Sequence, residues 1–508
     1  MTSHRITARR ARDEPAPHVE RDPAIVTSFL SDAAHVPGGF AAGVAFPRSE
    51  TEVAALVTSA ERVLPVGAQS SLTGGATPRG ELVLSTRALS TIGNTGGDTI
   101  RVGAGVPLAA LQASLAAARR YYPPVPTFDG AFVGGTIATN AAGAATFKYG
   151  STRPWVVGLT VVLAGGDVLD IRRGDVTASP DGLFEIALSS GQVVIVSVPT
   201  YRMPDVAKLS AGYYAHPGMD LIDLFIGSEG TLAVITDVTL RVLPVKPRQA
   251  LALLTMSDER EALRHDASET WSGRGSLDVS AIEYMDMRAL KAVADDVFAR
   301  VNVSRPAGDS VLLMVQIEVG PDEAGALARL QELLDSCGVA EEAIVTAPGD
   351  DRGAQRLFDL REAVPAGVNA LVAAAKARAH PDIEKTAGDM VVPFARLAES
   401  LALYRRAFES RGLDYAIWGH VSDGNLHPNL IPRTFDDMTR GREAIVEIAR
   451  GVIGMNGAPL AEHGVGRSAL KQRLLRELYG DEGIEQMRAV KRALDPDWKL
   501  SPGVLFPP

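Results

Sequence analysis

The chain has 508 residues, 46% hydrophobic and 22% charged, with a formal net charge of −10. That length predicts two to four folding units, and the apolar fraction excludes a disordered chain. The acidic balance argues against a nucleic-acid partner, and the single cysteine, Cys337, excludes an intramolecular disulfide framework and a Cys-built metal centre.

The N-terminus carries Arg5, Arg9, Arg10 and Arg12 with no apolar stretch behind them. It reads as a solvated basic tail rather than a secretory signal. An organelle transit peptide is the competing reading, interrupted by Asp13 and Glu14. No apolar run reaches the roughly 18 residues that span a bilayer. From about Phe40 to Leu243 the pattern is one of short strands, Gly-rich turns and few helices. A helix is predicted over residues 52–60, then a strand over 63–66 that runs into GAQSSLTGGA. Strands are expected at 82–85 and 100–102. Pro107 opens a helix with Leu108, Leu111 and Leu115 on one face. A glycine–alanine tract at 133–145 precedes paired strands around 156–163 and 168–171. FIGSEGTLAVIT is expected as strand–turn–strand, and LPVKPRQA, with Pro244 and Pro247, as a linker. Beyond it, strand-like ALALLTM and VLLMVQIEV alternate with helical runs such as DEAGALARLQELLDS, which predicts an α+β domain with an antiparallel sheet.

Neither G-x-G-x-x-G after a strand nor G-x-x-x-x-G-K-[ST] occurs, so a nicotinamide Rossmann unit and a P-loop are not expected. Ser468-x-x-Lys471 formally matches an acyl-enzyme motif but lies in a charged helical run and is read as chance. In PVGAQSSLTGG, Gly67, Gly74 and Gly75 let the backbone turn tightly, and Ser70, Ser71 and Thr73 add hydroxyl donors. Such a nest binds anions without a lysine. In the second tract, residues 134–146 are almost free of bulky side chains, which lets a flat ligand lie against main chain. Ordinary turns in an alanine-rich chain are the competing reading of either tract alone.

With PVGAQSSLTGGA, GGTIATNAAG, FIGSEGTLAVIT, IEYMD, WGHVSDGNLH, AEHGVG and DPDWKLSPG in this order, the chain resembles one flavoprotein superfamily from about Phe40 onward. It is the vanillyl-alcohol oxidase / para-cresol methylhydroxylase (PCMH) superfamily, in the branch of D-lactate dehydrogenase and the glycolate oxidase catalytic subunit. The resemblance implies an α+β chain: a lead-in over 1–39, a two-part PCMH-type FAD-binding domain over 40–245, and an α+β substrate domain with an antiparallel sheet over 246–508. The segment from about 460 is expected to return to the flavin. By match, the first loop offers FAD Val66, Gly67, Ala68, Ser70 and Ser71. The glycine–alanine tract offers Thr136, Ala138, Thr139 and Gly143; the GSEG region offers Gly227, Glu229, Gly230 and Ile235. AQSS stands where the family more often has glycines and a threonine, and Ser501 where it usually has asparagine. These loops hold no histidine or cysteine, so FAD is expected to be bound non-covalently.

In YAIWGHVSDGNLHPNL, Asp423-Gly424 between strand-like residues predicts a two-residue hairpin turn. That register sets Ser422 opposite Asn425 and His420 opposite His427, with Cβ atoms ~4.5–5.5 Å apart. Two imidazoles so placed, with Glu462 of AEHGVG as third ligand, make a divalent metal site with open positions. Zinc is the first expectation, manganese or iron the next. A pair of polar histidines on a sheet surface is the competing reading, and the resemblance favours the metal. The expected reaction is oxidation of a D-2-hydroxy acid of the D-lactate or glycolate type to the 2-oxo acid. His463 would take the hydroxyl proton while hydride passes to flavin. Arg361 in DLREAVP and Lys385 in EKTAGDMVVP resemble the family's substrate-side cations, although Lys385 equally suits a surface ion pair. D-2-hydroxyglutarate is the rival substrate. A non-catalytic flavin-binding subunit and an alkylglycerone-phosphate synthase are the rival classes. The expected partners are a small 2-hydroxy acid and an unidentified electron acceptor, with a homodimer as an option. The expected location is the cytoplasm, or the periphery of a membrane.

Overall fold

The computed structural model describes residues 3–507 apart from 13, 125, 127, 258, 260–262, 264–276, 307, 309, 337 and 340. Cys337 therefore lies outside the described residues. In the first half, a four-stranded sheet runs in the order Val19–Glu20, Gly43–Ala45, Leu82–Ser85, Val63–Val66. The last three strands pair in parallel. Parallel strands need a crossover, and the helix Glu50–Ser59 supplies it, capped by Ser49 and burying Val53, Leu56 and Val57. A five-stranded sheet follows: Arg9–Arg10, Asp167–Arg172, Val156–Val162, Val234–Arg241, Thr99–Gly103. All of its pairings are antiparallel.

Three expectations change. The basic N-terminus is not a solvated tail: Arg5–Thr7 pairs with Leu183–Ala187, and Arg9–Arg10 pairs with the edge of Asp167–Arg172. The Arg9 guanidinium reaches Glu50 and Asp170, each at 2.6 Å, so local acidic partners capture the charge. FIGSEGTLAVIT contains only one strand, beginning at Val234; its start is the short helix Ile222–Phe225. Positive φ at Gly227, Glu229 and Gly230 prevents an extended run between them. Within the expected linker, Leu243–Pro244 forms a two-residue ladder with Arg120–Tyr121. The helix at Pro107 forms as expected, spanning Leu108–Ala117 with Leu108, Leu111 and Leu115 buried.

The second half is built on a seven-stranded antiparallel sheet: Ile344–Thr346, Arg248–Met256, Val311–Val319, Asp278–Met285, Asp414–His420, Asn425–Ile431, Met390–Val391. Val311–Val319 is buried along its whole length because both faces are covered. Leu313, Val315 and Ile317 feed one core, and Leu312 and Met314 the other. That explains its continuous apolar run. After the long helix Ala469–Leu494 the chain folds back on the first half, where the Ser501 N–H donates to the Val63 carbonyl at 2.8 Å. Among the described residues no helix is long and apolar enough to cross a membrane.

Candidate active site

A cavity of about 1260 Å³ lies between the two halves, larger than a drug-sized ligand requires. Val66, Gly67, Ala68, Ser70 and Ser71 line one wall, where the strand Val63–Val66 gives way to its loop. Among the described residues, no acceptor meets the backbone N–H groups of Ala68, Gln69 and Ser70. Donors left open toward a cavity are what an anion nest requires. Thr136, Ala138, Thr139 and Gly143 line a second wall. Within that tract the neighbouring glycines differ. A Cβ on Gly134 would sit 2.6 Å from that of Ala104, so Gly134 lets the helix Val133–Ala138 pack closely, whereas one on Gly135 would meet nothing within 4 Å. Glu229, Gly230 and Ile235 line the third wall. Gly227 does not; its N–H donates to Ile137 and shapes the turn behind the wall. His35 also lines the cavity, from a segment that no motif marked.

Glu229 staples this wall to the C-terminal segment. Its two oxygens accept the N–H groups of Val465 and Gly466 at 2.7 and 2.8 Å. Burial pushes the carboxyl up to about 7 even so. Gly466 holds φ +57, and a Cβ there would lie 2.2 Å from Thr73 Oγ1. Gly466→Ala is therefore expected to destabilise the fold by about 1–3 kcal/mol and to weaken flavin retention. Denaturant unfolding with a parallel flavin assay checks it, and unchanged values would refute the need for this close approach.

The hairpin differs from its expected register. Residues 421–424 form the loop, and His420 lies opposite Asn425 with Trp418 opposite His427. Asp423 is not a solvated turn residue: it is buried against Lys208, its carboxylate 2.9 Å from Nζ. The Ser422 hydroxyl accepts the Ile282 N–H at 3.1 Å. These inward contacts pull two more residues into the turn. A shift of two keeps both histidines on one face, since side chains alternate with period two. Their rings stand 5.8 Å apart, edge to face.

Two of the expected ligands, His420 and His427, face the third, Glu462, and His463 joins them. Glu462 Oε1 lies 3.6 Å from His420 Nε2, 3.4 Å from His427 Nε2 and 3.6 Å from His463 Nε2. Neighbouring ligand atoms on a tetrahedral ion stand ~3.3–3.6 Å apart, the length of each of these three contacts to Glu462. Among the described residues, Asp389, His427, Glu462 and His463 bring ligand atoms within 4.8 Å of one another, a group that does not include the expected ligand His420. Asp389 is already engaged on both oxygens. Its Oδ2 takes the N–H groups of Glu462 and His463 at 3.0 and 2.9 Å and faces His463 Nδ1 at 3.1 Å, while Oδ1 takes Asn425 Nδ2 at 3.2 Å. It is built to orient its neighbours rather than to ligate.

The electrostatics agree with this division. Burial alone would raise the Glu462 carboxyl, yet Lys208 and His420 hold it well below its ordinary range. Asp389 behaves likewise through His463 and Lys471. Burial lowers His427 to about 4, leaving it neutral as a ligand must be. Burial also acts to lower His420, but Glu283, 2.7 Å from Nδ1, brings it up to about 9, so the ring carries a proton that it must release before it ligates an ion. Arg361 lines the cavity but is committed to Glu283 at 3.1 Å. Lys385 lines it too. It lies over the Trp418 ring at 5.9 Å, and no carboxylate partner meets it among the described residues. The competing reading, a surface ion pair, finds no partner among the described contacts.

Sequence reasoning missed Asp389, Glu283 and Lys208. The first two sat inside quoted motifs, EKTAGDMVVP and IEYMD, without a role. Lys208 lies in the irregular stretch 199–219, where no spacing marked it.

The chain matches the family described as FAD linked oxidases, C-terminal domain, over residues 246–505, and that described as FAD binding domain over 41–172. It is 28% identical to glycolate oxidase subunit GlcD of Bacillus subtilis over 91% of this chain and 88% of that protein. It is 30% identical to a D-lactate dehydrogenase of Archaeoglobus fulgidus, covering 90% and 89%. A D-2-hydroxyglutarate dehydrogenase of Xanthomonas citri pv. viticola is 29% identical, covering 91% and 89%. In fold it is similar to a 4-ethylphenol oxidase from Gulosibacter chungangensis, with TM-score 0.64 at 16% identity over 96% of this chain and 94% of that one.

Proposed function

This chain belongs to the FAD linked oxidases, and on that premise we propose that it oxidises a D-2-hydroxy acid to the 2-oxo acid, passing two electrons to FAD. The observation that carries the reading is the meeting of three imidazoles on Glu462 Oε1, with His427, Glu462 and His463 lining the cavity. A flavin-binding subunit without catalysis has no use for that cluster. FAD would lie on the open N–H groups of residues 68–70 and the glycine–alanine wall, and would accept the hydride. A divalent metal held by His420, His427 and Glu462 would acidify the substrate hydroxyl. His463 takes that proton at Nε2: Asp389 engages Nδ1 at 3.1 Å and thereby fixes the tautomer. The Glu283–Arg361 pair holds His420 by its other nitrogen.

The test is anaerobic mixing of the flavoprotein with paired D- and L-hydroxy acids. Bleaching by the D-acid alone supports the reading, and no bleaching by any hydroxy acid ends it. FAD is bound non-covalently in this reading, so acid precipitation is expected to leave the flavin in the supernatant. Flavin in the pellet would identify a tether, with His35 the residue to examine.

One observation favours a substrate with a second carboxylate over lactate or glycolate: Lys385 in the same cavity, which no carboxylate among the described residues meets. Burial and the nearby Lys471 bring its amine down to about 8. Because the charged form binds the anion, the KM for a D-2-hydroxy diacid is expected to rise as pH climbs through about 8. In Lys385→Met that limb should vanish while the KM for D-lactate stays put. An unchanged diacid profile in the variant would return the reading to the monoacids.

A further inference from the structure

Among the described residues, Lys208 is the one cation with a fully buried side chain that touches both halves of this site. Its side chain has 0% exposure, although it belongs to a stretch with neither helix nor strand. An ammonium carries three N–H donors, and three acceptors surround this one: Asp423 Oδ2 at 2.9 Å, Glu462 Oε2 at 3.1 Å and the Gly143 carbonyl at 3.3 Å. Those acceptors come from the hairpin loop, the AEHGVG segment and the glycine–alanine wall. The adjoining residues repeat the stitch. The Ser210 N–H donates to Leu460 at 3.1 Å and its hydroxyl to Thr139 at 2.9 Å, while Asn140 donates to the Leu209 carbonyl at 3.2 Å.

The division of labour on Glu462 is the informative point. One carboxylate oxygen faces the three imidazoles, and the other faces Lys208. A carboxylate without that second contact is free to rotate and present either oxygen, or both, to an ion. We propose that Lys208 is a positioning residue that locks Glu462 to present a single oxygen to the imidazole cluster, and that it ties this geometry to the Gly143 wall of the flavin cavity. The proposal rests on the metal reading above and adds to it the residue that sets how Glu462 ligates.

The same lysine neutralises Asp423, so charge balance and positioning must be separated. Lys208→Met leaves two buried carboxylates uncompensated and is expected to destabilise the fold. Lys208→Met/Asp423→Asn removes one cation and one anion together and relieves that imbalance, yet still leaves Glu462 Oε2 without its donor. The probe is Co²⁺ added to metal-depleted, FAD-loaded protein, read by its ligand-field absorption beyond the flavin bands and by flavin content. Expected for the double variant is a flavin content equal to the parent's, a Co²⁺ affinity about 10–100-fold weaker, the usual worth of a group that orients a ligand, and a changed ligand-field spectrum. A double variant with the parent's affinity and spectrum would overturn the proposal and reduce Lys208 to a counter-ion for Asp423. A parent protein that takes up no Co²⁺ would overturn the metal reading and this proposal together, so the two failures are distinguishable.

Discussion

His463→Ala is expected to slow flavin reduction by the D-hydroxy acid roughly 10²–10⁴-fold, the usual contribution of a positioned general base, while metal and flavin stay bound. His463 is the least enclosed of the three imidazoles, with 30% of its side chain exposed, against 3% for His420 and 8% for His427. It therefore meets the cavity where a substrate hydroxyl would stand. Asp389 holds its Nδ1, which leaves Nε2 to accept a proton. Yet Nε2 stands as far from Glu462 as that of His420 does, so distance alone does not separate base from ligand. Metal content and single-turnover reduction on one preparation separate them. A His463→Ala protein that has lost its metal would make the residue a ligand.

Glu462→Ala is expected to abolish metal binding and substrate-dependent bleaching together. The three Nε2 atoms have no other common oxygen within 3.6 Å among the described contacts. The deletion also leaves Lys208 with Asp423 as its one carboxylate partner among the described contacts, and breaking a buried ion pair typically costs about 3–5 kcal/mol. Glu462→Gln keeps the volume and removes only the charge, so it is the control for misfolding. Elemental analysis and denaturant unfolding of both variants check the result. Parent-like metal content in either would leave the cluster without its central ligand.

The sequence by itself determined the parts whose cause is local. Pro107 and its leucines at helical spacing made a helix because proline suits its first turn and the leucines share a face. The small-residue loops opened onto a cavity because nothing at Gly135 fills that space. The face shared by His420 and His427 was legible because strand side chains alternate, and a two-residue slip does not undo that. What the tertiary structure decided depended on distant partners. The turn at Asp423-Gly424 widened because Lys208, over two hundred residues earlier, draws Asp423 inward. Arg361 looked like a free substrate cation until Glu283 met it from the strand Asp278–Met285. The basic N-terminus found Glu50 and Asp170 through sheet pairing that its own composition does not encode. Asp389 gained its role from the backbone N–H groups of Glu462 and His463, more than seventy residues away. Local periodicity fixes which face a side chain takes, whereas a buried charge is satisfied only by whatever partner the whole fold brings to it.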